Sequence, residues 1–78
     1  MKVTVKYFGI IAETAGKKEE ILDVAQGIST AELKARQIKI YQIPEGESIQ
    51  LAVNRDLNTE VELKEGDEVA FLPPFAGG

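Results

Sequence analysis

The sequence contains neither histidine nor cysteine. That removes imidazole general bases, thiolate nucleophiles, disulfides and Cys/His zinc sites together. Chemistry here must use carboxylates, lysines, hydroxyls or the chain's own terminus. Glu60 and Glu62 stand two residues apart, so a strand would project both carboxylates from one side, where a pair could bind a metal or act as acid and base. Without a further ligand cluster, a solvated strand face accounts for them better. Lys17-Lys18 reads as a charge pair at a turn, and Asn54-Arg55-Asp56 as turn chemistry rather than a ligand loop. Glu65-Gly66-Asp67 lacks phosphate-loop spacing. No metal site and no bound cofactor is expected.

One segment stands above this background: FLPPFAGG, residues 71–78. With glycine at about 7% of residues, two terminal glycines arise by chance in roughly 0.5% of chains. The context adds to this, because two prolines precede the segment Phe75-Ala76-Gly77-Gly78. Proline restricts φ and favours an extended course, so the tail is expected to project from the domain. Glycine has no Cβ, so a narrow channel in another protein can enclose it and bring the terminal carboxylate to a reagent. A projecting carboxylate free of side chains is what an ATP-dependent activating enzyme requires as substrate.

The elements that must position this tail follow from composition and pattern. Seventy-eight residues leave room for one domain, with 44% hydrophobic and 28% charged residues, as in a globular protein. A net charge of −4 with no basic stripe argues against nucleic acid or an anionic membrane surface as partner. No apolar run is long enough to span a bilayer, and the alternating N-terminus does not read as a signal peptide, so a cytoplasmic location is expected.

Residues 2–8 alternate as a half-buried strand, with Val3, Val5 and Tyr7 on one face. Residues 10–15 read as a short helical turn closed by Gly16, and residues 18–24 as a second strand. Ser29 with Glu32 forms a capping box that opens a helix through roughly residue 40, with Ala31, Leu33, Ala35 and Ile38 as its apolar side. Residues 48–54, 60–63 and 68–72 complete the strands, the last broken by Pro73. The order implies an α+β fold, a β-grasp (ubiquitin-like) mixed sheet of about five strands with one main helix across it. Residues 1–72 form the domain and residues 73–78 its flexible Gly-Gly tail. In this arrangement the first and last strands are parallel neighbours. Alternation then places Phe8 and Leu72 on the polar face of the sheet, where clustered apolar side chains point to a partner.

Two stretches resemble the small, sulfur-carrying subunit of molybdopterin synthase, a ubiquitin-like family. They are LAVNRDLNTEVELKEGDEVAFLPPFAGG, residues 51–78, and VKYFGIIAETAG, residues 5–16. The resemblance implies that an adenylating partner activates the Gly78 carboxylate with ATP, and that a sulfur donor converts it to a thiocarboxylate. It also implies a large catalytic subunit, in a heterotetramer, that binds the molybdopterin precursor and receives the tail residues Phe75, Ala76, Gly77 and Gly78. The family's apolar docking surface falls on Phe8, Leu57 and Leu72, with Phe75 as an added anchor. The chain would supply the nucleophile and not the acid–base groups. Rival readings are a sulfur carrier for thiazole synthesis, a modifier conjugated to lysines through Gly78, and a plain interaction module. The Pro-Pro exit and the length favour the molybdopterin carrier over the thiazole one.

Overall fold

The computed structural model describes residues 1–57 and 60–73. The first strand, β1 (Lys2–Tyr7), buries Val3, Val5 and Tyr7 and leaves Lys2, Thr4 and Lys6 on the other side, as its period-2 pattern requires. Helix α1 (Gly9–Ala15) seats Ile11 and Ala15 in the core and ends at Gly16, whose left-handed φ of 77° lets its N–H reach the Ala12 carbonyl. Strand β2 (Glu19–Asp23) returns antiparallel to β1. Helix α2 (Thr30–Tyr41) begins at the expected capping box. The Ser29 hydroxyl accepts from the Glu32 N–H at 3.1 Å, and the Glu32 carboxylate accepts from the Ser29 N–H at 3.0 Å. Strands β3 (Gln50–Val53) and β4 (Glu68–Leu72) close the sheet.

The sheet order is β2-β1-β4-β3, with β1 and β4 parallel in the centre and antiparallel pairs outside. This is the β-grasp arrangement that the strand order implied. Register places Val5 beside Val69, Tyr7 beside Phe71, and Phe71 beside Leu51. These residues form the inner face, on which Leu33 of α2 is buried with Ile11 and Phe71 in one core. Fully burying a side chain such as Leu33 contributes about 1.5–3 kcal/mol.

Two expectations change. Residues 60–63 do not form a fifth strand. Their pairing is a single bridge between Ser29 and Glu62, with the Leu63 N–H donating to the Ile28 carbonyl at 2.8 Å. The segment meets the start of α2 instead of a strand edge, so it has no ladder to extend. The buried face of α2 matches residue type only in part: Leu33 is buried and Ile38 packs against the core. Ala31 and Ala35 are exposed, while Thr30, Leu33 and Gln37 are buried. Positions 30, 33, 37 and 41 fall on one helical face by the 3.6-residue period, and polar side chains occupy three of them.

Candidate functional site at the root of the tail

Because β1 and β4 are parallel, both deliver their C-terminal ends to the same edge of the sheet. There β1 runs through Phe8 into α1, and β4 runs through Leu72 into Pro73. On the open face, register pairs Thr4 with Glu68 and Lys6 with Ala70. The β1–β4 register pairs end at Tyr7 and Phe71, and Phe8 and Leu72 are the next residues along the two chains. Phe8 keeps an extended backbone, φ −125° and ψ 152°, so it continues the course of the strand. Phe8 is 44% exposed, and Leu72 and Ala70 are half-buried. Ala52, paired with Ala70, lies next along the same face. Phe8 and Leu72 thus add two large apolar side chains to one end of a face that also carries Ala70, Ala52 and, opposite Thr4, the exposed Ile21. The same face carries the Lys6–Glu68 ion pair at 3.4 Å, an exposed contact worth no more than about 1 kcal/mol.

Leu57 is brought to a different place. It is 63% exposed and lines a groove of about 390 Å³ between α2 and β3, with Ala31, Lys34, Ile49 and Leu51 among the other walls. Phe8 and Leu72 thus each follow the last β1–β4 pair, whereas Leu57 lies on the helix side. Phe75, Ala76, Gly77 and Gly78 lie outside the described residues.

Immediately after Phe8, Gly9 starts α1 with a left-handed φ of +56°, and a Cβ there would stand 3.1 Å from the Pro73 Cγ. The surrounding turn is held by the Ile11 N–H donating to the Phe8 carbonyl at 3.1 Å and by the Tyr7 N–H donating to the Lys18 carbonyl at 2.8 Å. Nothing in the residue pattern revealed this contact, although a glycine directly after a strand invites the question of what approaches it.

The other candidates resolve into turns and solvent. Asn54 and Arg55 both have positive φ, and the Asn54 amide donates to Asp67 at 3.0 Å while accepting from the Glu68 N–H at 3.0 Å. The Lys64 N–H donates to the Asp67 carboxylate at 2.8 Å, closing the turn before β4. Glu60 and Glu62 are exposed. Among the described residues no group of three or more carboxylates could hold a metal ion, and no described helix is long and apolar enough to cross a membrane.

A buried polar network went unread in the sequence. Glu20 occupies an inner-face position of β2, opposite Val5, where alternation calls for an apolar residue; that mismatch was the available signal. The Tyr7 and Tyr41 hydroxyls each donate to Glu20 Oε2 at 2.6 Å, and Gln37 Nε2 donates to the Tyr7 hydroxyl at 2.8 Å. Lys17 Nζ donates to Glu20 Oε1 at 3.4 Å and sits 5.4 Å from the Tyr41 ring centroid. Burial pushes the Tyr7 hydroxyl far above its ordinary range, and the hydrogen bond to Glu20 adds to this. Burial works against the Glu20 carboxylate as well. The hydrogen bonds from Tyr41 and Tyr7, with the Lys17 charge, outweigh it and hold Glu20 below the usual glutamate value. Tyr7 is the neighbour of Phe8 and Tyr41 ends α2, so the network ties the helix to the strand that carries the apolar end.

Comparison with known proteins agrees with this geometry. The chain matches the ThiS family over residues 5–78. It is 34% identical to a molybdopterin synthase sulfur carrier subunit of Chlamydomonas reinhardtii, with all of both chains covered. Among solved structures, a putative molybdopterin converting factor subunit 1 from Pyrococcus furiosus superposes with a TM-score of 0.82 at 29% identity, covering 96% of this chain and 99% of that one. A complex of subunits 1 and 2 of the molybdopterin-converting factor from Helicobacter pylori is similar at 29% identity and a TM-score of 0.63, with both chains fully covered. The parallel central pair, the β-grasp sheet and these end-to-end matches show that the chain belongs to the ThiS family.

Proposed function

We propose that this chain is the sulfur-carrying subunit of a molybdopterin synthase and that Gly78 is its reactive residue. The observation that carries the reading is the end-to-end match to a sulfur carrier subunit, in a fold whose two central strands converge on the root of the tail. The Gly78 carboxylate attacks the α-phosphorus of ATP on an adenylating enzyme, and pyrophosphate leaves. A sulfur donor then displaces AMP from the acyl-adenylate, leaving a thiocarboxylate. In the large subunit that sulfur attacks the molybdopterin precursor to build the dithiolene, and hydrolysis of the acyl–sulfur bond returns the carboxylate. The chain supplies a nucleophile and a docking surface. Acid–base groups come from the partner, consistent with a sequence that has no histidine or cysteine. Phe8 and Leu72 dock the domain, Leu57 extends the contact around the β3 edge, and Phe75 to Gly78 enter the partner.

Incubation with the activating enzyme, ATP and sulfide should give an oxygen-to-sulfur mass shift confined to the C-terminal peptide and lost on deleting Gly78. An unchanged mass under those conditions would sink the proposal. High-molecular-weight conjugates that vanish on deleting Gly78 would identify a protein modifier instead.

A further inference from the structure

We infer that Gly9 is a positioning residue for the reaction of the tail. It forms a notch that seats the Pro73 ring and so sets the direction in which the chain leaves the sheet; this rests on the carrier reading above. The ladder between β1 and β4 has its last register pair at Tyr7 and Phe71, and Pro73 has no N–H with which to extend it. Beyond Leu72, contact with α1 takes over as the restraint. Gly9 provides it for two separate reasons. Its φ of +56° is a region that residues with a Cβ rarely adopt, and the space its Cβ would fill is already taken, 3.1 Å from the Pro73 Cγ. That separation is shorter than ordinary van der Waals contact, so a side chain at position 9 would push the proline ring outward by a few tenths of an ångström.

The pyrrolidine ring locks φ near −65°, so a displacement larger than its pucker absorbs turns the backbone with it. The tail that carries the reacting Gly78 starts at this ring, so the seat of Pro73 sets where the tail leaves the sheet. Misplacing a reacting group by about 1 Å can cost roughly a hundredfold in rate. Gly9 touches no substrate. It acts through Pro73.

The test uses the full chain as wild type, Gly9→Asn, Pro73→Ala and the double variant. Asparagine tolerates the left-handed φ but adds the Cβ, so it separates the space from the backbone conformation. The rate of thiocarboxylate formation is measured by mass with limiting activating enzyme, at a temperature where all four are folded. An NOE between Gly9 Hα and Pro73 Hγ reads the seating independently of any chemistry. The wild type should show the NOE, and Gly9→Asn should react roughly three- to tenfold more slowly. The double variant should react no more slowly than Pro73→Ala alone, because without the ring there is nothing to displace. Two outcomes overturn the inference alone: Gly9→Asn reacting at the wild-type rate, or Gly9→Asn slowing the Pro73→Ala background by the same factor. A wild type that gains no sulfur overturns the carrier reading and this inference with it.

Discussion

Replacing Phe8 with alanine tests the docking surface with a magnitude that the structure supplies. A phenylalanine carries roughly 200 Å² of surface that can be buried. With 44% of the residue exposed, about 90 Å² remains available to a partner. At about 25 cal/mol per Å², covering it contributes about 2 kcal/mol, an upper figure because ordering and imperfect fit take part of it back. Phe8→Ala should therefore weaken binding to the large subunit by roughly ten- to thirtyfold in Kd. The part of Phe8 already buried adds a stability loss, about half of the 3–5 kcal/mol that a fully buried Phe→Ala costs. A domain of this length has roughly 4–12 kcal/mol in total, so the variant stays folded. Isothermal titration of the two subunits, with circular dichroism to confirm folding, gives the answer. Ile40→Ala is the control, since Ile40 is 55% exposed but lies on α2, away from the open face. A folded Phe8→Ala that binds as tightly as wild type, or an Ile40→Ala that loses as much affinity, would refute the reasoning.

The buried network predicts a pH signature. Glu20 titrates below its ordinary value of 4.5 in the folded chain, so the stability it supplies is fully present above that value and is lost as pH falls through the folded one. Glu20→Gln should cost about 1–3 kcal/mol in urea unfolding at pH 7, through two 2.6 Å hydrogen bonds to a charged acceptor. Its deficit should shrink below pH 4.5; a deficit constant from pH 7 to pH 3 would exclude this origin. Ser29→Ala removes the hydroxyl that accepts from the Glu32 N–H and should cost about 1 kcal/mol. Restored stability in Ser29→Asp would confirm a capping role, and an unchanged urea midpoint in Ser29→Ala would deny it.

The apolar end of the sheet and the buried network are two outcomes of one constraint. A small domain buries only about 60% of the surface that its unfolded chain exposes, and one helix cannot cover both faces of a sheet. α2 covers the inner face, and Glu20, sealed there by Tyr7, Tyr41 and Gln37, ties the edge strand to the helix. The open face is left uncovered and is mostly polar, with Ile21 opposite Thr4 exposed on it and Phe8 and Leu72 where β1 and β4 end. The scaffold can be rigid at that point because Tyr7 and Phe71, whose ring centroids are 5.5 Å apart, are anchored from below.

Much of this was determined by sequence alone. Period-2 alternation placed β1, β2, β3 and β4, and the reciprocal Ser29–Glu32 pattern placed the start of α2, because strand faces and helix caps are local properties of neighbouring residues. Absence is also legible, and the lack of histidine and cysteine left only carboxylates, lysines, hydroxyls and the terminus for chemistry. Tertiary structure decided what depends on residues distant in the chain. Whether Val61 pairs with a strand or with the start of α2 is a choice between partners that no local pattern encodes. Leu33 and Ile38 of α2 face the core as their type implies, but Thr30 and Gln37 are polar by type, and Gln37 is buried only because Tyr7 and Glu20, 30 and 17 residues away, meet it. Leu57 looked equivalent to Phe8 and Leu72 until the fold set it on the other side of the sheet. Gly9 and Pro73 are 64 positions apart in sequence, and only the parallel pairing of β1 with β4 brings the glycine's empty side against the proline ring.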